Sequence, residues 1–312
     1  MGGARAAFDA MLAGTTAGRP AWLPLIDRVA ARVQSRSYRE TTSDPDVWSA
    51  GLSRAGELLG ADALVVGCDA TLGAEACGAE LDWSTPLPVI ARRPIEPDAR
   101  PLGAPRMAAL LEVLRRLRAT ARSRFGVVAA LCGPLLLATQ LFPERAAEEA
   151  LRSVKAVHNA LFDAVLATRP DLVVLIERPP VSAEVHKAWQ RAFGTLRNLA
   201  GHYDVPLALL AEEWSAGQVA SLGALRLPVY LLGHGSGDAL QAARGLATPP
   251  TAVGMALSMG PGADAAATLA AVARARADGG NLFLTTASDV GSGHDDLDSL
   301  RSLAAELQRQ VA

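Results

Sequence analysis

Eight apolar, β-rich runs recur along the chain at near-even intervals, each followed by a polar or glycine-containing turn and then a helix-length Ala/Leu/Arg segment. The runs are Ala21–Ile26, Ala63–Cys68, Val127–Cys132, Leu172–Ile176, Pro206–Ala211, Pro228–Leu232, Ala252–Leu257 and Leu282–Thr286. Strands that are apolar throughout need cover on both faces, and crossover helices supply it when the strands run parallel. Eight such units close into a (β/α)8 barrel. Chemistry in such a barrel is carried by the loops after the strands, so the informative residues are the polar ones just past each run.

At 312 residues the chain exceeds the roughly 250 typical of one barrel, which leaves room for a short N-terminal helical extension and a few long loops within a single domain spanning 1–312. Half of the residues are hydrophobic and only 4% are aromatic, so Ala, Val and Leu must build the core. A formal charge of −2 and a pI near 6.2 provide no global field for nucleic acid or an anionic membrane. The expected partner is therefore a small molecule, and a homodimer stays open.

The opening MGGARAAFDAMLAG lacks the apolar core and cleavage pattern of a secretory signal, and no run approaches the roughly 18 apolar residues of a membrane span. A cytoplasmic protein is expected. Cys68, Cys77 and Cys132 are too few and too irregularly spaced for a disulfide framework or a CxxC zinc site. Cys68 and Cys132 close strand patterns and read as small buried side chains.

Residues 4–12 read as a leading helix ended by Gly14. The proline-dense segment 83–103 reads as a long irregular loop along the barrel. Residues 106–124 read as a helix with Leu110, Leu111, Leu114 and Leu117 turned inward and Arg115, Arg116 and Arg118 solvated.

Three motifs carry a family resemblance. Arg28–Arg32 reads R-V-A-A-R directly after the first run; Tyr38-Arg39-Glu40 precedes Ser43-Asp44-Pro45 and a helix over 46–58; and the second run leads into Asp69 and a short Ala/Gly segment. With the Gly133-Pro134 turn after the third run, this succession resembles the uroporphyrinogen decarboxylase superfamily, whose other major branch consists of cobamide-dependent methyltransferases. The resemblance implies a TIM barrel of uroporphyrinogen decarboxylase type. It places Arg28 and Arg32 on the arginines that hold substrate carboxylates, and Asp69 on the aspartate that stabilises a protonated intermediate.

Elementary chemistry agrees with those roles. Two guanidinium groups beyond a strand can each grip a carboxylate with bidentate bonds, and an aspartate opposite them can offset a developing cation. The alternative reading is structural: the arginines lie exposed on a helix, and Asp69 is the N-cap of the next one.

The departures from the family pattern matter as much. The decarboxylases' tyrosine after the third strand falls on Gln140, their serine after the fourth on Arg178, and their histidine after the last on Ser288. These replacements argue against uroporphyrinogen as substrate. The methyltransferases' zinc-holding H-x-C falls on Leu210-Ala211-Glu212 and their last cysteine on Ser288, so no thiolate zinc site is expected. Glu212, Glu213 and His234 form the remaining carboxylate/imidazole set, but their spacing does not favour a metal.

Arg28, Arg32, Asp69, Gln140, Glu177, Arg178, Glu212, Glu213, His234 and Ser288 should thus meet at one barrel mouth and shift one another's pKa values. His234, in a glycine-rich turn after the sixth run, is placed to move protons near neutral pH or to bond its own loop's carbonyls. His294 precedes a helix capped by Asp295 or Asp296, and His158, His186 and His202 fall in helical or surface segments.

The expected function is a cofactor-independent decarboxylase or lyase acting on a small carboxylated compound. In it Arg28, Arg32, Gln140, Glu177, Arg178 and Ser288 would bind substrate, Asp69 would stabilise charge, and His234 or Glu212 would deliver the proton. Methyl transfer without the zinc-thiolate site, and a non-catalytic barrel that only binds its ligand, are the alternatives.

Overall fold

The eight apolar runs fold as the strands of a closed parallel sheet. The structure is a computed structural model and describes residues 4–15, 17–180, 182–211, 216–233, 237–257, 265–277, 281–290 and 297–311. The strands are β1 (Ala21–Leu23), β2 (Ala63–Val66), β3 (Gly126–Cys132), β4 (Leu172–Glu177), β5 (Leu207–Ala211), β6 (Val229–Gly233), β7 (Ala252–Leu257) and β8 (Leu282–Thr286). From β2 to β8 each strand pairs in parallel with the next, and β8 pairs with β1. A parallel bridge between Leu25 and Val65 closes the ring, so this is a (β/α)8 barrel. Every residue of these eight strands is buried, as continuous apolar character requires of a sheet covered on both faces.

Helices alternate with the strands: α1 (Ala4–Leu12), α2 (Asp27–Arg32), α3 (Tyr38–Ser43), α4 (Pro45–Leu58), α5 (Ala70–Ala76), α6 (Pro105–Thr120), α7 (Pro134–Leu141), α8 (Ala147–Ala167) and α9 (Ala183–Tyr203) lead the series. Their starts are chemically encoded. Ser37 and Glu40 form a reciprocal capping box on α3, and Asp44 caps α4 with Pro45 at the first helical position. Among the described residues, no helix is long and apolar enough to cross a membrane.

Helix α1 plugs the N-terminal end of the barrel. Phe8 is fully buried with its ring 6.1 Å from that of Phe283, and Arg5 forks onto Asp171 at 3.0 and 3.1 Å while also donating to the carbonyls of Arg122 and Phe125. A cavity lined by residues that follow the strands lies at the opposite end.

Two local expectations need correction. The segment 83–103 is not wholly irregular: Glu80–Asp82 and Val89–Arg92 form an antiparallel hairpin whose turn carries Leu87 and Pro88 to the barrel mouth. The expected helix 106–124 ends at Thr120, with Arg116 pairing Glu112 on its outer face as the leucine stripe implied.

Candidate functional site at the barrel mouth

Asp27, the first residue of α2, organises the site. Its carboxylate is fully buried and accepts from Trp48 Nε1 at 2.8 Å, from the backbone N–H groups of Gly67 and Cys68 at 3.1 and 3.0 Å, and from the Cys68 thiol at 2.9 Å. These bonds stitch the end of β1 to the end of β2 and to α4. The turn that presents both N–H groups needs glycine: Gly67 has φ +91°, and a Cβ there would lie 2.8 Å from the Ala130 carbonyl oxygen.

Across the cluster stands Asp289, just past β8, with its side chain 8% exposed. It accepts from the Arg28 backbone N–H at 3.2 Å and from Arg28 Nε at 3.3 Å. One polar atom each of Asp27, Cys68 and Asp289 lie within 4.8 Å of one another. Burial lifts both carboxyls above the usual aspartate range, the charge of Asp27 lifts Asp289 further, and Arg28 opposes that rise. Two buried carboxyls this close retain a proton that ordinary aspartates have lost, and it belongs to the pair rather than to either residue. Tyr38 faces the same cavity; burial and the charges of Asp69, Asp27 and Asp289 keep its hydroxyl protonated.

Asp69 lines the cavity and is the N-cap of α5. Oδ1 accepts from the Thr71 N–H and hydroxyl at 2.8 Å each, and Oδ2 pairs with Arg106. Arg106 is 2% exposed, donates to Thr42 Oγ1 at 3.1 Å and Glu75 at 3.2 Å, and lies over the rings of Trp83 and Tyr38 at 5.1 and 5.9 Å. Asp69 therefore brings to the cavity a charge that a neighbouring guanidinium already balances.

Glu177, at the end of β4, turns its oxygens into the protein although it forms part of the wall. Oε1 accepts from the N–H groups of Leu136 and Arg178 at 2.7 and 3.0 Å, and Oε2 from Leu135 N–H and Trp189 Nε1 at 2.9 and 3.3 Å. The carboxyl thus caps α7, and Gly133 precedes it because a Cβ there would come within 2.5 Å of Oε2. Its role is to position α7 and its Gln140. Burial pushes its pKa up to about 7 against four donors that hold it down. An acid whose pKa is higher in the folded than in the unfolded state stabilises most below its unfolded value, and that stability fades as pH rises through the folded value. From the ordinary glutamate value of 4.5 to about 7 this amounts to about 3 kcal/mol. Denaturant titrations from pH 4 to pH 8 should therefore show the stability advantage of the native protein over Glu177→Gln shrinking by about that amount; a constant difference would mean that Glu177 stays charged throughout.

Together these groups enclose a cavity of about 220 Å³. Arg28, Tyr38, Cys68 and Asp69 form one wall; Leu136, Gln140, Ile176 and Arg178 form the facing wall; Ser288 and Asp289 close the side; and Leu87 and Pro88 of the hairpin cover it. Among the described residues, Gln140 Oε1 is buried without a partner, and Arg178, exposed at the rim, makes no ion pair.

Of the residues expected from the sequence, Arg28, Asp69, Gln140, Glu177, Arg178 and Ser288 meet here. Arg32 does not line the cavity: it ends α2, one helical turn past Arg28, and is half-buried. Glu212, Glu213, His234 and His294 lie outside the described residues. Asp27, Tyr38, Cys68, Arg106 and Asp289 were not expected as site residues: Tyr38 stood only in a family motif, Cys68 read as a buried side chain, and Asp27 and Asp289 directly adjoin Arg28 and Ser288 in the chain.

The Asp27, Cys68 and Asp289 trio is the one set among the described residues whose donor atoms gather as metal ligands do. Asp27 Oδ2 already accepts three bonds, and burial together with Asp27 and Asp289 drives the Cys68 thiol up, away from the thiolate a metal needs.

The sequence model of the uroporphyrinogen decarboxylase (URO-D) family matches residues 5–171. No curated protein matches the chain at a significant level. Among solved structures, a methyltransferase from Methanosarcina mazei superposes over 100% of both chains with a TM-score of 0.80 at 15% identity. A B12-independent methionine synthase from Shewanella sp. W3-18-1 in complex with selenomethionine superposes over 85% of this chain and 87% of its own, with a TM-score of 0.57 at 13% identity. At such identities the likeness is one of fold. The matched stretch, 5–171 of 312 residues, holds the R-V-A-A-R and Y-R-E motifs, the β2 aspartate and the Gly-Pro turn that build most of this mouth, and the chain belongs to the uroporphyrinogen decarboxylase family.

Proposed function

We propose that the chain is an enzyme that binds a small carboxylated molecule at the barrel mouth and cleaves a carbon–carboxylate bond by acid–base chemistry, with no resident cofactor. The observation that carries this reading is the placement of Asp289, backed by the buried Asp27, beside Arg28 in one cavity with Arg178. A cavity of about 220 Å³ is below the roughly 300–1,000 Å³ that takes drug-sized ligands, which favours a small substrate over a tetrapyrrole.

Arg178, exposed at the rim, and Arg28 hold the substrate's carboxylates, and the Gln140 amide pairs with a polar group beside them. As the C–C bond to the departing carboxylate breaks, its electron pair passes into the substrate's own electron-accepting ring or imine. The carbon left behind then takes a proton from Asp289, whose raised pKa matches it to proton donation nearer neutral pH than an ordinary aspartate allows. Asp69, balanced by Arg106, fixes the wall against which the ring rests.

Methyl transfer is the second reading, favoured by the whole-chain likeness to the Methanosarcina mazei methyltransferase. One assay separates the two. The protein is incubated with a panel of small aromatic and imino carboxylic acids, and CO2 release is followed beside demethylation of methylcobalamin in the presence of candidate acceptors. Acid-dependent CO2 release equal to substrate loss is expected. Methylcobalamin consumption without CO2 would replace this reading with the second, and saturable binding of an acid with neither product would make the barrel a binding protein.

A further inference from the structure

Outside the barrel, α8, α9 and the start of α7 enclose a second cavity of about 510 Å³ that plays no part in the reading above. His158 forms part of its lining and is 3% exposed. Its Nε2 lies 2.9 Å from the Cys132 carbonyl oxygen, which can only accept, so Nε2 carries the proton and Nδ1 is a bare acceptor. Burial lowers the ring's pKa and keeps it neutral. Nδ1 itself is buried with no partner among the described residues, an arrangement that costs free energy unless a donor is supplied.

Arg152, Lys155 and Arg191 line the same cavity against one acidic side chain, Glu148. Glu148 takes Arg152 and Arg191 at 3.4 and 3.5 Å, and Lys155 makes no ion pair among the described residues. With one of the three cations offset, about two positive charges remain, matching the −1.5 to −2 of a phosphate monoester near pH 7. Leu151 and Leu196 supply an apolar surface for a carbon skeleton. We propose that this cavity binds a small phosphate monoester bearing a free hydroxyl, its phosphate on Lys155, Arg152 and Arg191 and its hydroxyl donating to His158 Nδ1. The inference stands apart from the barrel-mouth reading, although the two cavities share α7: Pro134 lines this one, and Leu136 and Gln140 line the other.

The test is 15N NMR of the full chain labelled at histidine, titrated in turn with glycerol 3-phosphate, inorganic phosphate and glycerol. Glycerol 3-phosphate should move the His158 Nδ1 resonance saturably and bind about tenfold or more tighter than inorganic phosphate or glycerol. Lys155→Met, a change at the cavity rim, should weaken it about tenfold, while Arg178→Met at the barrel mouth should leave it unchanged. An unmoved Nδ1 resonance, a response that survives intact in Lys155→Met, or a response abolished by Arg178→Met would overturn the proposal. A hydrogen-bonded Nδ1 signal before any addition that none of the three compounds alters would overturn it equally, since the ring's partner would then be solvent.

Discussion

Replacing Arg106 with methionine should destabilise the fold by about 3–5 kcal/mol, the usual cost of removing one partner from a buried ion pair. The guanidinium is 2% exposed and joins Thr42 of α3 to Asp69 and Glu75 of α5, while Trp83 and Tyr38 cover its faces. Methionine keeps much of the volume but strands two carboxylates, 11% and 23% exposed, with no cation beside them. Against a total stability of about 5–15 kcal/mol this is a large share, and the melting temperature should fall on the order of 10 °C. Arg106→Lys should recover only part of the loss, because an ammonium cannot reproduce the fork that serves Thr42, Asp69 and Glu75 together. Adding Asp69→Asn to Arg106→Met should restore part of it, because the stranded charge is then removed. A melting curve for Arg106→Met that overlays the native one would show that the network contributes little.

The barrel was legible because its signal is coarse and redundant. Continuous apolar runs such as Leu172–Ile176 and Leu207–Ala211 demand burial on both faces, and no single residue decides the outcome. The hairpin over 80–92 was hidden for the opposite reason: its strands are short and mostly exposed, and prolines at 86 and 88 sit in its turn.

At the mouth, residues were legible where a motif marks them and obscure where tertiary contact alone defines them. Arg28 and Asp69 stand in recognisable strings. Asp27 reads as an unremarked acid in the first turn of a helix until Trp48, Gly67 and Cys68 converge on it from 21 to 41 positions away. Asp289 becomes significant only when barrel closure brings β8 beside β1 and Arg28 donates to it across 261 positions. Glu177 shows the converse. Its place after a strand suggested substrate contact, but its oxygens are directed to α7 and Trp189, a use that sequence position does not distinguish from binding.

Asp289→Asn should lower turnover by about 10²–10⁴-fold, the contribution of a positioned proton donor, while leaving the fold intact. An amide at that position can still accept the two Arg28 bonds through its oxygen, so α2 keeps its anchor. What it loses is the proton, and the effect should be seen in turnover more than in affinity, because the arginines that hold the carboxylate remain.

That expectation rests on the state of the Asp27–Asp289 pair, which can be observed without any substrate. The measurement is a 13C NMR pH titration of the protein labelled at aspartate carboxyls, run on the native chain and on Asp27→Asn and Arg28→Met. Both Asp27 and Asp289 should titrate above the ordinary aspartate value of about 3.9. Asp27→Asn should lower the Asp289 midpoint by removing a neighbouring negative charge, and Arg28→Met should raise it by removing the cation that favours the carboxylate. An Asp289 that titrates near the ordinary value and ignores both substitutions would contradict the account, for the mouth would then hold no proton to give.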